Sequence, residues 1–321
     1  EITIVLPDSI TAIEDSAFSN CPALRNINMP TSLKTIGDSA FEGCASLSAL
    51  NIPHGVTSIG DSAFKACSGL VSVSIPTSVT SIGESGFEGC SSIVSLVIPA
   101  SVTSIGEDAL RNCGSLKYLS APYFGGTYEP GMPDPLYSFN SMNIVLGNHG
   151  SQTTTTYLDT FYLIGNGTIY HSAFGYVRVK NIVIGENITL NSYGGNFAYC
   201  DQVVSVSFMN KFTDLPRYCF YGCLSLQSVA FPNNVQSIGL CAFDSCTSLT
   251  TVSIPNTVTS INGSAFANCS ALTNISIPNS VVTIGNGAFM NCTSLVSVVI
   301  PNSVTSMWGV FNGCSSLTYV S

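Results

Sequence analysis

The sequence predicts an α/β repeat solenoid, a chain wound into stacked coils of about 23 residues. Three observations indicate this fold class: the spacing of prolines, the spacing of cysteines and a three-part apolar pattern within each repeat. Prolines recur every 23 residues from Pro7 to Pro122 and again from Pro232 to Pro301. Cysteines keep the same interval within each of these regions, and only Cys314 comes one residue early. A period of this length is typical of coils that bury their sides against one another.

The first part of each repeat predicts a β-strand. In the coil around Pro278, Ile275 and Ile277 alternate with polar residues, as they do in a half-buried strand. Stacking would align such strands into a parallel sheet. Each proline lacks a backbone donor and therefore ends the strand before it. A second short extended stretch follows the proline, and we expect its apolar residues, such as Val258, to point inward.

The third part of the repeat predicts a single helical turn. Its signature places Ala265, Phe266 and Cys269 on one face of the turn. Asparagine or glycine precedes most of the regularly spaced cysteines, and both tolerate the left-handed conformation that ends a helix. Acidic residues at the predicted N-cap position begin the turn; those with a strong capping preference are Asp15, Asp38 and Asp61.

Composition excludes two classes of function. The chain carries 18 acidic and 9 basic residues, a net charge of −9, and no stripe of lysine or arginine, which argues against nucleic acid as a partner. Polar residues, proline and glycine interrupt every apolar stretch well before the roughly 20 residues that a membrane span requires. The sequence starts and stops inside predicted strands, so we expect further repeats or caps in the natural protein.

The run I-P-x-S-V-T-S-I-G-x-x-A-F-x-x-C-x-S-L, nearly complete over 75–93 and 277–295, resembles the BspA-like leucine-rich-repeat family. The resemblance covers 1–122 and 200–321 closely and the middle loosely. It implies a leucine-rich-repeat arc with a parallel β-sheet on its concave face and short strands and helical turns on its convex side. It also implies an extracellular or cell-surface location and a role in adhesion.

The repeat is disturbed in the middle of the chain. We therefore predict regular coils over 1–122, irregular coils with an insertion over 123–185, and regular coils over 186–321, all in one continuous solenoid. Twelve of the thirteen tyrosines lie between Tyr118 and Tyr221. These aromatic residues either form a contact surface or fill the uneven interior of distorted coils, and the sequence leaves both interpretations open.

Eleven of the thirteen cysteines share one coil position, and we name them the ladder cysteines. We predict that they are buried free thiols. Cys219 and Cys241 stand outside this position, so a disulfide between them, or a zinc site with two ladder cysteines, remains an alternative. The three histidines and the acidic residues show no spacing typical of catalysis or metal binding. We expect no enzymatic activity, no metal and no cofactor.

The resemblance, together with the lack of a catalytic pattern, implies a non-enzymatic, cell-surface or secreted module that binds a protein of a host or a neighbouring cell. The alternative is a module that binds carbohydrate or cell wall. The candidate contact residues are aromatic side chains of the irregular region and outward polar side chains of the predicted sheet: Tyr118, Tyr123, Phe124, Tyr128, Tyr137, Phe139, Tyr157, Phe161, Asn26, Asn28, Asn51, Ser72, Ser74 and Ser95.

Overall fold

The computed structural model describes residues 2–123, 145–146, 155–170, 173–174 and 177–321. The chain divides into two compact units, Glu1–Phe124 with Ser141–Gly165 and Gly125–Asn140 with Asn166–Ser321. Each unit is a parallel β-solenoid of the leucine-rich-repeat type, and the chain makes about 12 turns in all. The predicted coil stacking is therefore confirmed.

The front sheet is formed by the strand that precedes the proline of each coil. Equivalent residues pair in register between successive coils, as Leu119 does with Leu96 and Phe161. The front strands of the first unit are Ile2–Val5, Leu24–Asn28, Ala49–Asn51, Ser72–Ser74, Ser95–Val97, Tyr118–Pro122 and Leu158–Ile164. Those of the second unit are Val179–Ile184, Ser205–Phe208, Ser228–Ala230, Asn274–Ser276, Ser297–Val299 and Tyr319–Val320, with Ser253 forming an isolated bridge.

The back strands follow the proline corner, where Val258 N–H donates to the carbonyl of Pro255. They are only two or three residues long, and their second or third residue is usually a buried isoleucine or leucine. In the first unit they are Ala12–Ile13, Thr35–Ile36, Ser58–Ile59, Ser81–Ile82 and Ser104–Ile105. In the second unit they are Gly167–Ile169, Ile188–Leu190, Asp214–Leu215, Ser237–Ile238, Ser260–Ile261 and Thr283–Ile284.

Phenylalanine rings form the centre of the core. In the first unit, Phe18 begins a column of rings stacked at 5.2–5.3 Å, which ends at Phe87. In the second unit a similar column runs from Phe174 to Phe311 at 5.0–5.6 Å. Phe174 belongs to the irregular region, so the repeat signature seen there marks a true coil. Offset stacks of this kind contribute beyond the area they bury.

The prediction of helical turns is wrong. Residues 263–268 form consecutive turns, and neighbouring donors alternate in direction. Ser264 and Phe266 donate to carbonyls of the next coil at 2.9 and 2.8 Å, whereas Ala265 donates to Asn262 of its own coil. Ser264 and Asn268 also adopt left-handed φ values of 52° and 58°. A right-handed helix accommodates neither feature, because its donors all bond within one segment.

The predicted helix caps have another role. The Asp38 backbone N–H donates to Asp15 Oδ1 of the preceding coil at 2.8 Å, and Asp61 repeats the arrangement with Asp38. The carboxylates therefore join coils rather than cap turns. Gly37 and Gly60 permit this close stacking, since an added Cβ at Gly60 would lie 2.5 Å from Asp38 Oδ1 and 2.6 Å from the Gly37 carbonyl carbon.

Candidate functional site

The outward polar residues of the predicted sheet do lie on an open surface. All six candidates in the regular coils, namely Asn26, Asn28, Asn51, Ser72, Ser74 and Ser95, are exposed on front strands. Four of them line a shallow groove of about 390 Å³: Asn26, Asn51, Ser72 and Ser74. Its floor is formed by alternate residues of three strands, including Leu50 and Val73. The groove therefore offers amide and hydroxyl groups above an apolar floor.

Apolar side chains are exposed on the last coil of this groove and on the coils that follow it. We name them the front patch: Val71, Val94, Val97, Tyr118 and Tyr162. Tyr118 and Tyr162 keep 47% and 43% of their surface accessible although both lie on front strands. Ser120 pairs with Val97 on one side and with Tyr162 on the other, so these three residues form one row across adjacent strands. An exposed cluster of this kind, beside polar groups, is typical of an interaction surface.

A cationic side chain borders the front patch. Lys117 Nζ lies 5.9 Å from the centre of the Tyr157 ring, within the range of a cation–π interaction. Tyr157 is half-buried, and it follows Thr156, a buried residue whose Oγ1 donates to the Leu110 carbonyl at 2.9 Å. The contact thus links the half-buried lysine to a segment that is anchored in the core.

The aromatic candidates of the irregular region divide into three groups. Tyr118 is exposed, and Tyr123 and Tyr157 are half-buried. Phe161 is completely buried, because its strand faces the core at that position, and it is therefore not a contact residue. The other four lie outside the described residues: Phe124, Tyr128, Tyr137 and Phe139.

Sequence reasoning missed Tyr162 and the exposed valines. Tyr162 lies in the region 123–185, which is predicted to contain an insertion. Its strand nevertheless has the apolar spacing of the repeat, Leu158-x-x-Phe161-x-Leu163, and this spacing identifies the segment as a regular front strand. Val97 occupies the same outward row as Asn51 and Ser74. Val97 was not predicted because the candidate contact residues of the sheet were chosen for their polarity. Its position in the repeat would have identified it as outward-facing.

Most of the ladder cysteines are buried thiols of low reactivity. Nine of the eleven are buried, the exceptions being Cys21 and Cys314. Most of these thiols donate to a phenylalanine carbonyl of the preceding coil, as Cys269 Sγ does to Phe243 O at 3.1 Å, whereas Cys21 and Cys200 donate within their own coils. Burial raises the pKa of Cys67 to about 12, and the pKa of Cys292 likewise. Burial therefore keeps the Cys67 and Cys292 thiols protonated at neutral pH, and the prediction of buried thiols is confirmed for nine of the eleven ladder cysteines.

The two additional cysteines have different surroundings. Cys219 is fully buried and Cys241 is partly exposed. Both are free thiols, and burial raises the pKa of each. Among the described residues, no three histidine, cysteine, aspartate or glutamate side chains converge as metal ligands.

Charged residues beside the phenylalanine column alternate in sign from coil to coil. Lys65 Nζ lies 2.9 Å from Glu88 Oε2 in the next coil, and this contact is the main cause of the raised pKa of Lys65. Arg111 instead pairs with Asp108 of its own coil at 2.9 Å. The Lys65–Glu88 pair confirms the predicted stacking, although an exposed pair contributes only about 0–1 kcal/mol.

No helix in the described part of the chain combines the length and apolarity that are needed to cross a bilayer.

Comparison with solved structures finds repeat proteins of bacteria. A leucine-rich repeat protein from Bacteroides ovatus is 26% identical; the match covers 100% of this chain and 92% of that protein, with a TM-score of 0.45. A leucine rich cell surface protein from Faecalibacterium prausnitzii is 24% identical, with coverage of 99% and 78% and a TM-score of 0.33. No curated protein matches the chain.

The family comparison is decisive. The model of the BspA type leucine rich repeat region matches residues 2–117, 167–270 and 213–321, in six copies. These ranges include most of the coils described above and more than half of the chain. The chain therefore belongs to the BspA type leucine-rich-repeat family.

Proposed function

We propose that this chain is a non-enzymatic adhesion module, secreted or held at the cell surface, that binds a protein of a host or neighbouring cell through the front sheet of its first unit. The single observation that carries the proposal is the front patch. Tyr118 and Tyr162 stand exposed on rigid strands, next to Val97, and tyrosine provides a large contact area at little cost in rotational entropy.

The surroundings of the patch support a protein partner. An apolar centre with a rim of asparagine, serine and Lys117 reproduces the usual anatomy of a protein interface. The family match supports an interaction role, because leucine-rich repeats commonly present a sheet to other proteins and the matching family model describes a repeat region rather than a catalytic domain. A neighbour in the structural comparison is named as a cell surface protein, which supports the proposed location.

The irregular region adds to this surface in our proposal. Tyr118 and Tyr123 lie at its start. Four further aromatic residues, which lie outside the described residues, are additional candidate contacts: Phe124, Tyr128, Tyr137 and Phe139. Substitution tests these four better than deletion does. Removing 123–162 would also remove Thr156, Leu158 and Phe161, which are buried core residues.

The test is a binding screen of the full chain against an array of extracellular proteins, with variants chosen from the repeat itself. Tyr118→Ser and Tyr162→Ser introduce the serine that occupies these rows in other coils, and Val97→Ser does the same. The matched control is Val299→Ser, which lies at the corresponding front position of the second unit and has 61% exposure against 57% for Val97. We expect the screen to find a partner that binds the triple variant at least about tenfold more weakly than the wild type. The same partner should bind the control variant as tightly as the wild type.

The groove favours glycan as a second candidate. Asn26, Asn51, Ser72 and Ser74 offer the donors and acceptors that a sugar requires, with Val73 on the floor. Binding on a glycan array that is lost in Asn51→Ala and kept in the triple front-patch variant would support this second function. If the triple variant binds every partner as well as the wild type does, the front patch is not the interaction surface.

A further inference from the structure

A cluster of tyrosines lies on the turn segments of the second unit, on positions that the front sheet does not use. Tyr199 and Tyr221 meet at 5.5 Å between ring centres with an angle of 84° between their planes. Tyr218 and Tyr221 meet at 5.8 Å and 79°. Tyr199 is 50% and Tyr218 36% exposed, and Tyr221 is half-buried. The three rings therefore form a solvent-accessible corner in which ring faces stand nearly perpendicular to one another.

Two of these tyrosines occupy backbone positions that disfavour them. Tyr199 and Tyr218 have φ values of 61° and 56°, in the left-handed region that bulky residues rarely adopt. Elsewhere in the repeat the Tyr199 position holds small or left-handed-tolerant residues, such as Asn20, Gly43, Ala66 and Asn268, and the Tyr218 position holds Ser16, Ser39, Ser62 and Ser264. Core packing does not explain them, because both side chains are exposed. The Tyr199 ring lies over Gly222 of the next coil, where an added Cβ would be 3.0 Å from it, but neither tyrosine fills the core, so the unfavourable backbone conformation points to a function.

The corner carries negative charge. Asp244 occupies the position of Tyr221 in the next coil, and it is the largest cause of the raised pKa of the Tyr221 hydroxyl. Its Oδ1 is held by Ser245 Oγ at 2.9 Å and by Asn268 Nδ2 at 2.8 Å, so the carboxylate is fixed in place. The neighbouring cation, Arg217, reaches back to the preceding coil, where its Nε donates to the Tyr193 carbonyl at 3.1 Å. The field at Tyr221 therefore favours a positive ligand.

We propose that Tyr199, Tyr218 and Tyr221, together with Asp244, bind a trimethylammonium group. Such a group carries a full positive charge but no hydrogen-bond donor, so it gains most from aromatic faces and a nearby carboxylate and needs no ring of acceptors. A primary ammonium or a guanidinium carries three or five donors, each of which needs an acceptor of its own to replace water. The site lies on turn segments of the second unit, whereas the front patch lies in the first unit, and it does not depend on the function proposed above.

The first experiment titrates the full chain with tetramethylammonium and choline, followed by calorimetry and by tyrosine fluorescence. The control ligand is 3,3-dimethylbutan-1-ol, which has the shape of choline with carbon in place of nitrogen. We expect choline to bind about tenfold more tightly than this neutral analogue, because only the charge differs. Equal affinities for the two, or no binding of choline, would overturn the proposal. Methylguanidinium that binds more tightly than choline would overturn the assignment to trimethylammonium.

The second experiment uses the residues that the repeat places in these positions. The variants are Tyr199→Asn, Tyr218→Ser and Tyr221→Ala. Each is compatible with the stacking of coils, because the repeat places the same residue at that position in a later coil: Asn268 three coils later, and Ser264 and Ala267 two coils later. We expect each to weaken choline binding by about tenfold, Asp244→Asn to weaken it less, and Tyr221→Phe to preserve it, since cation–π attraction needs the ring and not the hydroxyl. Tyr118→Ser, an exposed tyrosine of the front patch, is the control and should change nothing.

The source of the group is distinguished by two further ligands. A trimethyl-lysine peptide is compared with its unmodified lysine form, and phosphatidylcholine vesicles are compared with phosphatidylglycerol vesicles. Binding to either trimethylammonium form, with loss in Tyr199→Asn, supports the site and identifies the carrier. A chain that binds both lysine forms equally and both vesicles equally would contradict it, as would a Tyr221→Ala variant with wild-type affinity for choline.

Discussion

Replacing Phe266 by alanine tests the energetics of the central ring column. Phe266 is fully buried, and its ring lies between Phe243 at 5.0 Å and Phe289 at 5.3 Å, with interplanar angles of 0° and 2°. Its backbone N–H donates to the Ala288 carbonyl of the next coil at 2.8 Å, and this bond does not involve the side chain. The substitution therefore removes packing and leaves the ladder of hydrogen bonds intact.

The expected loss in the free energy of unfolding is about 4–5 kcal/mol. Truncation of a buried phenylalanine costs about 3–5 kcal/mol, and the upper part of this range applies because the rigid ring neighbours on both sides cannot close the cavity. Two stacked pairs are lost as well, each worth roughly 0.5–1.5 kcal/mol beyond burial. Phe266→Leu should cost only about 1–1.5 kcal/mol, since leucine already occupies this column as Leu110.

The measurement is urea denaturation followed by circular dichroism, together with hydrogen exchange, because a solenoid can unfold locally around a weakened coil. The matched control is Phe311→Ala. Phe311 is partly exposed and stacks on one neighbour only, Phe289 at 5.6 Å, so we expect about half the loss. A cost below about 1 kcal/mol for Phe266→Ala, or equal costs for the two, would refute the assignment of the ring column as the core.

Four further predictions follow from the stacking of coils. In the native protein, iodoacetamide at pH 8 should label exposed Cys21 readily and Cys67 very slowly, whereas denatured, unreduced protein should show nearly all thirteen thiols; few titratable thiols would indicate disulfides instead. Since the pKa of Cys67 rises from 9.0 to about 12 on folding, its contribution to stability is complete below pH 9 and is lost as pH rises toward about 12, which denaturation at a series of pH values will reveal. Gly60→Ala should destabilise by about 1–3 kcal/mol, because its Cβ would collide with backbone of the preceding coil, whereas Gly114→Ala, whose nearest neighbour is 3.3 Å away, should cost far less. Asp38→Glu should lose about 1 kcal/mol of stability by misplacing the carboxylate that accepts from Asp61 N–H, and an unchanged denaturation midpoint would contradict that inter-coil role.

Much of the fold could be predicted from single residue types. Proline marks the corner, isoleucine and leucine mark the inward side of the strands, and the buried positions of Phe41, Cys44 and Leu47 follow from their recurrence alone. Periodicity reports which residues are equivalent, and stacking then follows because equivalent residues can pair. This inference needs no knowledge of hydrogen-bond direction.

The wrong prediction of helical turns could not be avoided by using periodicity, because an inward Ala-Phe-x-x-Cys spacing fits both a helical turn and the observed turn segment. What distinguishes them is where each donor points, and that depends on the neighbouring coil. A partial signal was present. Serine precedes the alanine in several coils and takes a left-handed φ, as Ser39 does at 52°, but serine is also a common helix cap, so the residue type alone was ambiguous.

The candidate surfaces were harder to predict than the fold, and the reason lies in the geometry of a stacked coil. Inward positions, corner prolines and glycines such as Gly60 are constrained by the next coil, so they repeat and carry no individual information. Outward positions are free of that constraint, and most coils fill them with serine, threonine or asparagine. A departure from the repeat at an outward position is therefore not required by folding. Tyr162 replaces the usual small polar residue on a strand, where tyrosine has no conformational cost. Tyr199 replaces it at a position with a left-handed φ, which tyrosine disfavours. In a solenoid of this kind, the residues to compare are those of the same position in successive coils, and the ones that differ while exposed mark where binding can be specific.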